Sequence, residues 1–297
     1  MEQLDNTNIS KHLGQTSQYK SEYDPELIVT EPRQSNRTYL GIEDDNLPFV
    51  GYDVWNGYEV SALTNNGKPV AAIAKIIYPA NSKYIVESKS MKLYWNSFNM
   101  TKLGDTPDEV MGEIEKRAIE DLSAKVETNV SVQLFFDDTE IEEEIDFSAT
   151  NNLDISVSND VVFDTYNETP DLLEIEEYLD VQEVNHTSGL LKSNCRVTSQ
   201  PDWGDVYIYI KGNKVPTPES LLKYIVSFRD ECHFHEEICE CIYKRLWDLC
   251  SPEELSVMCL YVRRGGWDIN PHRVSHEHLY NELLFDIGKI FPKRPRQ

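Results

Sequence analysis

The stretch GYEVSALTNNGKPVAAIAKIIYPA, residues 57–80, decides the fold of the first half of the chain. Its two arms, GYEVSAL and KPVAAIAKIIYPA, are rich in β-branched and other apolar residues, which favours strands. Between them, Asn65, Asn66 and Gly67 are residue types that tight turns prefer. The stretch therefore predicts two antiparallel strands joined as a hairpin.

A helix and a strand are predicted to follow this hairpin. Thr106, Pro107 and Glu109 supply an N-cap, a first-turn proline and the acidic residue of a capping box. The segment EVMGEIEKRAIEDLSAKV (109–126) then places apolar residues at helical spacing. VSVQLFF (130–136) reads as a strand.

The second half of the chain repeats this order of elements. It predicts a strand at VYIYIKG (206–212), a helix opening at Thr217-Pro218, a helix at FHEEICECIYKRLWDLC (234–250) and a strand at VMCLYVRR (257–264). We therefore expect an α+β fold of two related units, with antiparallel sheets and long helices packed on one face. The expected boundaries are a polar, irregular N-terminal segment (1–45), a first module (46–136), an acidic connector (137–185) and a second module (186–297).

Charge is distributed unevenly along the 297 residues. The formal net charge is −24, from 28 basic and 52 acidic residues. Between Lys125 and Lys192 there are 18 acidic residues and no basic one. A field of this sign repels polynucleotides, so no nucleic-acid partner is expected. We interpret the acidic connector (137–185) as a linker and surface layer, with a candidate edge strand in LDISVSNDVVFDTY (153–166).

The cellular setting is predicted from what the sequence lacks. No apolar run reaches membrane-spanning length, and the first thirty residues contain no apolar signal core. We therefore expect a cytoplasmic protein. Its six cysteines, from Cys195 to Cys259, are then expected to be reduced thiols rather than disulfides.

The stretch LLKSNCRVTSQPDWG (190–204) contains a candidate nucleophile. Lys192 and Arg196 flank Cys195, and nearby cations lower the pKa of a thiol. Asp202 lies in an expected Pro-Asp-Trp-Gly turn, where burial beside Trp203 would raise its pKa and let it keep a proton to donate. The alternative interpretation is a buried structural thiol followed by an ordinary turn-forming Asp.

The segment FRDECHFHEEICEC (228–241) invites a zinc interpretation, because it contains two His and three Cys. His235 and Cys239 are four apart and could share a helix face. Cys241 could not join them, and no C-x-x-C spacing occurs in the chain. The other interpretation is that His235 and Glu236, near a helix start, face a ligand.

Two further segments are candidate ligand sites. VESKSMKLYWNSFN (86–99) places Glu87, Lys89 and Lys92 in an apparently strand-like region, as a binding carboxylate with cations or as plain surface charge. YVRRGGWDINP (261–271) places two arginines before two glycines, which suits phosphate, although a strand end with a glycine turn has the same pattern. No dinucleotide fingerprint G-x-G-x-x-G, P-loop or G-x-S-x-G elbow occurs.

Together these segments resemble one enzyme family, the 7-cyano-7-deazaguanine reductases in their long, two-module form. The resemblance is carried by ESKSMKLY with the following WNSFN, by LLKSNC and QPDWG, by SFRD and FHE, by RRGGWDINP and by LPFVGYDVWNGYEVSAL (47–63). It implies NADPH-dependent reduction of a nitrile to an amine in queuosine biosynthesis. It also implies two tandem tunnelling-fold modules, a homodimer, a cytoplasmic location and no metal.

The resemblance also implies roles for individual residues. Cys195 would attack the nitrile to form a thioimide, and Asp202 would be the proton donor. A carboxylate, Glu236 or Glu87, would accept the two parallel N–H donors of the guanine-like base. The implied substrate contacts are Val86, Glu87, Ser88, Phe234, His235 and Glu236, and the implied NADPH contacts are Ser88, Lys89, Arg264 and Gly265.

Three alternatives remain at this point. One is a zinc-dependent cyclohydrolase-like enzyme on the same fold, using His233, His235 and nearby cysteines. Another is a non-catalytic acidic binding protein in which Cys195 is part of the core. The third is a cysteine enzyme that hydrolyses the nitrile to acid and ammonia without NADPH.

Overall fold

A computed structural model describes residue 20 and residues 22–136 and 149–290 of the chain. The first half contains the predicted hairpin, helix and strand, together with shorter elements and a second helix that the sequence did not predict. A short 3₁₀-helix at Pro25–Leu27 comes first. The elements that follow, up to residue 135, are β1 (Thr30–Pro32), α1 (Gln34–Tyr39), β2 (Val50–Leu63), β3 (Pro69–Pro79), β4 (Tyr84–Val86), α2 (Ser88–Ser97), α3 (Pro107–Val126) and β5 (Ser131–Phe135).

The second half contains a longer hairpin, two main helices and a second hairpin. Its elements are β6 (Asn151–Asn152), α4 (Leu153–Ser156), β7 (Ile175–Cys195), β8 (Pro201–Pro216), α5 (Pro218–Ser227), β9 (Cys232–His233), α6 (His235–Cys250), β10 (Glu254–Tyr261), β11 (Trp267–Val274) and α7 (Glu282–Phe285).

One sheet runs through both halves in the order β5-β3-β2-β11-β10-β8-β7-β6, and β9 also pairs with β7. The long strands pair antiparallel, whereas the two-residue strands β6 and β9 pair parallel to β7. The halves join where β2 pairs with β11, from Trp267 opposite Gly57 to Val274 opposite Val50. The α+β class with an antiparallel sheet is therefore confirmed.

The long helices cover one face of this sheet, because strand residues alternate between faces. Trp55 and Ile76 pack with α2 and α3, while their neighbours Val54 and Ile77 belong to a separate cluster on the opposite face. That opposite cluster includes Leu284 of the short helix α7. The sheet thus has a helical side, with two large cores, and a second side that α7 partly covers.

Local signals account for the elements that were predicted correctly. The hairpin turn is present, with Gly67 at φ +88°. Thr106 accepts a hydrogen bond from the backbone N–H of Glu109 at 3.2 Å, and the Glu109 side chain accepts in return, so the capping box is confirmed. The strand predicted at 206–212 lies within β8, and the helix predicted at 234–250 matches α6, with Phe234 as its N-cap.

Three local predictions were wrong. The expected edge strand at 153–166 begins instead with the short helix α4, where Asn152 accepts a bond from the N–H of Asp154. Residues 86–99 are mostly helix α2 rather than strand, because Met91, Tyr94 and other apolar residues recur at helical spacing on its buried side. Residues 30–39 of the N-terminal segment are not irregular, since β1 and α1 lie there.

The expected acidic connector (137–185) is only partly covered by the described residues. Residues 137–148 lie outside the described part of the chain. Strand β7 begins at Ile175 and crosses the expected boundary at 185. The module boundaries stay a prediction.

A buried ion network attaches the N-terminal segment to both halves. Arg33 pairs with Asp53 of β2, and Arg37 Nη2 lies 2.8 Å from Glu240 Oε1 of α6. Arg273 of β11 contacts both anions, at 2.8 Å from Asp53 and 3.0 Å from Glu240. These five side chains are at most 3% exposed, so each charge depends on its partners.

Candidate active site

A cavity of about 360 Å³ lies where the two halves meet on the helical side of the sheet. Both halves contribute: α2 and β2 from the first, and the β7–β8 hairpin, α6 and the β10–β11 turn from the second. The lining residues are Trp55, Glu87, Ser88, Lys89, Lys92, Cys195, Thr198, Gln200, Asp202, His235, Val262, Arg264, Gly265, Trp267 and Ile269.

Cys195 and Asp202 reach this cavity from adjacent strands. Cys195 ends β7, and Asp202 is the second residue of β8, opposite Ser193. The predicted Pro-Asp-Trp-Gly turn was wrong, because the turn lies earlier. The N–H of Cys195 donates to the carbonyl of Gln200 at 2.8 Å, and Ser199 adopts φ +53°. The thiol and the acid therefore share one face of a hairpin rather than one corner.

Cys195 is one of two cysteines with accessible surface. It is half-buried, and Cys232 of β9 is exposed. The other four, Cys239, Cys241, Cys250 and Cys259, are buried. The interpretation of Cys195 as a core thiol therefore does not fit its place in the cavity wall.

The two cations beside Cys195 in sequence are engaged elsewhere. Lys192 Nζ donates to the carbonyl of Arg229 at 2.5 Å, and Arg196 pairs with Glu237 at 2.8 Å. The reason is strand geometry, since residues one or three positions from Cys195 point to the opposite face. The cations that share the cavity with the thiol are Lys89, Lys92 and Arg264.

Asp202 is buried and ion-paired. Its Oδ1 accepts from Arg264 Nη1, and its Oδ2 lies 3.4 Å from His235 Nε2. Burial would raise the pKa of Asp202, but the hydrogen bonds and charges of His235 and Arg264 outweigh it and lower the pKa below its usual value. The predicted raised pKa of Asp202 was therefore wrong, because its partners His235 and Arg264 lie far from it in the sequence.

His235 is fixed beside Asp202 by stacking. Its ring lies flat on Tyr261, with ring centroids 3.7 Å apart and an interplanar angle of 5°. Its Nδ1 is buried and has no hydrogen-bond partner among the described residues. The ring is therefore positioned to hold or relay a proton at Asp202.

Helix α2 begins at the cavity wall. The Glu87 carboxylate accepts hydrogen bonds from the N–H groups of Lys89 at 2.9 Å and Ser90 at 2.7 Å, so it caps this helix. A carboxylate has about four lone-pair sites, so capping leaves capacity for a ligand. Ser88 and Lys89, the first residues of α2, also line the cavity.

Lys92 lines the cavity; the sequence grouped it with Glu87 and Lys89 in a candidate ligand site but not among the implied NADPH contacts. It lies three positions after Lys89 on α2, and its pKa is lowered by burial and by the charge of Arg264. A Cβ atom placed on Gly265 would lie 3.6 Å from Lys92 Nζ. Helical spacing from Lys89 was the signal that could have indicated it, had α2 been predicted as a helix.

Three predicted substrate contacts are buried and are not among the described residues lining the cavity. Val86 packs in the core of the first half, and Phe234 has the Arg196 guanidinium carbon 5.4 Å from its ring centre. Glu236 is 2% exposed, and burial together with the charge of Asp53 raises its pKa to about 8. These three adjoin lining residues in sequence, at Glu87 and His235.

Aromatic side chains form an apolar part of the wall. Trp55 and Trp267 both line the cavity. Residue 57 must be glycine for Trp267 to fit, since a Cβ atom there would lie 2.2 Å from the Trp267 ring. Sequence reasoning missed Trp55, Trp267 and Ile269, because apolar residues on strands give no sign of which cavity they face.

The zinc interpretation gains no support from the described residues. His233 bonds with Glu231 and Glu237; burial opposes its charge, but these carboxylates outweigh it and raise its pKa to about 9. His235 instead faces Asp202. Within the described ranges, no group of three or more His, Cys, Asp or Glu side chains is placed to hold a metal ion.

No described helix has the length and apolar character to cross a membrane.

A half-buried cysteine, two carboxylates, a histidine and three cations line one partly apolar cavity, and this set of groups is typical of an enzyme active site. Comparison with known proteins agrees. A family model described as "Nitrile reductase, 7-cyano-7-deazaguanine-reductase N-term" matches residues 19–134, and one described as "QueF-like protein" matches residues 201–286.

Several curated relatives match nearly the whole chain. The NADPH-dependent 7-cyano-7-deazaguanine reductase of Colwellia psychrerythraea is 43% identical over 282 residues, covering 91% of this chain and 93% of the relative. The enzyme of the same name from Acidovorax ebreus is 41% identical over 285 residues, covering 91% and 95%. The chain therefore belongs to the NADPH-dependent 7-cyano-7-deazaguanine reductase family, and the resemblance seen in its motifs is confirmed.

A solved structure also matches part of the chain. It is titled as the archaeosine synthase QueF-Like in the apo form, and it is 16% identical, covering 31% of this chain and 91% of that chain. Its TM-score of 0.26 is too low to carry an argument.

Proposed function

We propose that this chain reduces the nitrile of 7-cyano-7-deazaguanine to the primary amine with NADPH, in queuosine biosynthesis. The observation that carries the proposal is the single cavity in which Cys195 and Asp202 lie with Glu87, Lys89 and Arg264. Family membership supplies the substrate and reductant, and the cavity supplies the chemistry that they require.

Cys195 would supply the nucleophile. Its thiolate sulfur adds to the nitrile carbon while the nitrile nitrogen takes a proton, which gives a C=N thioimide bonded to sulfur. The thioimide carbon then accepts a hydride and its nitrogen a second proton. The C–S bond of the resulting hemithioaminal breaks, which releases the Cys195 thiolate and leaves a protonated imine. A second hydride gives the amine, so two hydrides and two protons are consumed.

Asp202 and His235 would hold and deliver these protons. Asp202 lies on the same hairpin face as Cys195, and His235 Nε2 lies 3.4 Å from its Oδ2. A proton shared by this pair would lie in the wall of the same cavity as the Cys195 thiol. General acid catalysis needs this proximity before it needs a matched pKa.

Carboxylates near the cavity would recognise the guanine-like base. Its N1–H and 2-amino group are parallel donors, which suit the two oxygens of one carboxylate. Glu236 is the first candidate and Glu87 the second, and Val86, Ser88, Phe234 and His235 would complete the substrate site. Since Glu236 is buried with a raised pKa, its use requires that substrate binding favours its ionised form.

The cationic side of the cavity fits a phosphate-bearing dinucleotide. Lys89, Arg264 and the unhindered backbone at Gly265 all line it, together with Ser88. These residues would hold the cofactor, and NADPH when bound supplies the hydrides. No metal is expected to take part.

Family membership also supports finer expectations about the assembly. We propose that the two halves are tandem tunnelling-fold modules. In each half a hairpin is followed by two main helices, which pack on the same side of the sheet, and then by at least one more strand. We further propose a homodimer in the cytoplasm, without direct nucleic-acid binding.

The test is an NADPH-oxidation assay with purified protein and 7-cyano-7-deazaguanine, with the amine quantified by mass spectrometry. Two NADPH oxidised per amine formed is the expected result. Cys195→Ala is expected to abolish turnover, whereas Cys232→Ala, which removes the other accessible thiol, is the matched control and should remain active. Acid and ammonia without NADPH oxidation would instead indicate nitrile hydrolysis, and normal turnover by Cys195→Ala would refute the thioimide route.

A further inference from the structure

The turn between β10 and β11 presents two of the proposed cofactor contacts to the cavity. The backbone N–H of Arg264 donates to the carbonyl of Trp267 at 2.8 Å, and the reverse bond measures 3.3 Å. Between them, Gly265 at φ +55° and Gly266 at φ +76° complete a two-residue hairpin turn. Arg264 and Gly265 both line the cavity, so the position of this turn decides where the second half can contact a dinucleotide.

A bulge in β2 of the first half lies against this turn. The register of β2 against β3 shifts between Gly57 and Val60. The two residues in between, Tyr58 and Glu59, stand opposite a single residue of β3. Bulges of this kind re-aim side chains and often lie beside active sites. Here the Tyr58 N–H donates to the carbonyl of Gly266 at 2.8 Å, so the bulged strand is bonded to the turn itself.

The Tyr58 side chain also holds the arginine that precedes the turn. The Arg263 guanidinium carbon lies 3.6 Å from the centre of the Tyr58 ring, which is a stacking contact. The Tyr58 hydroxyl donates to Asp268 Oδ2 at 2.9 Å, and Asp268 is 3% exposed. Asn56 and Asn270 donate to the other oxygen of this carboxylate, at 2.7 and 2.6 Å. The ring under Arg263 is therefore fixed by a buried acid that is itself held on both oxygens.

The two neighbouring arginines thus have different surroundings, although the sequence placed both in one candidate phosphate site. Arg264 lines the cavity, whereas Arg263 is not among the described residues that line it. The charge of Arg263 acts on Asp268 instead. Burial raises the pKa of Asp268, and its hydrogen bonds and the charge of Arg263 oppose that rise. This position suits an anchor for the turn rather than a ligand contact.

We propose that Tyr58 is a positioning residue for the dinucleotide. By stacking on Arg263 and bonding to the backbone of the turn, it holds Arg264 and Gly265 where they contact the cofactor. A residue of the first half thus fixes a cofactor contact of the second half, whereas Cys195 is carried by the separate β7–β8 hairpin. The inference rests on the proposed function, because it takes NADPH as the ligand of this turn.

The test compares two quantities. One is the affinity for NADP⁺ by isothermal titration calorimetry, and the other is the rate at which 7-cyano-7-deazaguanine forms an adduct with Cys195 without dinucleotide, followed by mass spectrometry. Tyr58→Leu removes the ring and the hydroxyl, so it should weaken NADP⁺ binding about tenfold while adduct formation proceeds at the wild-type rate. Tyr39→Leu is the matched control and should match wild type in both, since Tyr39 is 65% exposed and also faces an arginine, with the Arg245 guanidinium carbon 5.6 Å from its ring centre.

Three further variants show how Tyr58 acts. Tyr58→Phe keeps the ring, so it should bind NADP⁺ more tightly than Tyr58→Leu does. Arg263→Lys keeps the charge but loses the planar group that stacks, so it should weaken NADP⁺ binding as much as Arg263→Gln does. If Tyr58→Leu does not fold, Arg263→Lys decides the question by the same two quantities.

The outcomes separate the positioning role from the proposed function. Wild-type NADP⁺ affinity in Tyr58→Leu, or equal losses of affinity and adduct formation, would overturn the positioning role. Wild-type affinity in Arg263→Lys beside a loss in Arg263→Gln would show that Arg263 acts through its charge, which would overturn it as well. A wild-type protein that bound no NADP⁺ and formed no adduct would overturn the proposed function itself.

Discussion

Glu240→Gln is predicted to be strongly destabilising, because Glu240 is the central anion of the buried network. Its carboxylate accepts from Arg37 at 2.8 and 2.9 Å and from Arg273 at 3.0 and 3.1 Å. Gln keeps the volume but removes the charge. Two buried guanidinium groups would then lose their shared partner, which is costly in a medium that solvates charge poorly.

The magnitude follows from the pKa of Glu240. Burial would raise that pKa, but the arginines outweigh burial and lower it from 4.5 to about 2. Each pKa unit corresponds to about 1.36 kcal/mol, so the ionised carboxylate contributes roughly 3 kcal/mol at neutral pH. Breaking a buried ion pair costs about 3–5 kcal/mol in general, which agrees. Because the folded pKa is lowered, this stability is present above pH 4.5 and is lost as the pH falls toward 2.

The assay is urea unfolding followed by tryptophan fluorescence. Glu240→Gln should lose roughly 3 kcal/mol of unfolding free energy at pH 7, and about half of this difference should disappear by pH 3. Glu113→Gln on α3 is the matched control, since its pair with Arg117 is a surface contact at 3.5 Å, worth at most about 1 kcal/mol. A loss below about 1 kcal/mol at pH 7 would refute the reasoning.

Four more outcomes are expected. Glu236→Gln should stabilise the protein by roughly 3 kcal/mol at pH 7 and by nothing near pH 4.5. The reason is that the pKa of Glu236 is raised to about 8 in the folded protein, so ionisation in the unfolded state lowers the stability of wild type as the pH rises above 4.5. Urea unfolding tests this, and a destabilised variant at pH 7 would contradict it. The same variant should weaken substrate binding more than NADPH binding by calorimetry, whereas equal losses would remove Glu236 from base recognition. Asp202→Asn should slow turnover by about 10²-fold or more in the NADPH assay, and an unchanged rate would remove Asp202 as the donor. Chelator treatment should leave turnover unchanged, while a loss restored by zinc would favour the cyclohydrolase alternative.

Much of the fold could be predicted because its signals are local. The turn at residues 65–67, the capping box at Thr106 and the proline-led start of α5 each depend on a few neighbouring residues. Local reading failed at α2, where hydroxyl and charged residues hid the helical spacing of its apolar side. It also misplaced the turn between Cys195 and Asp202 by several residues, since several residue types there suit a turn.

The sequence by itself determined the residue types of the site, the order of the elements and, through its motifs, the family. Only the tertiary structure decided which charges meet, because ion pairs such as Arg264 with Asp202 and Arg37 with Glu240 join residues far apart in the chain. His235 and Arg264 lower the pKa of Asp202, whereas its neighbours in sequence predicted a raised pKa. A pKa depends on distance and burial in space, and neither quantity is written in the order of residues.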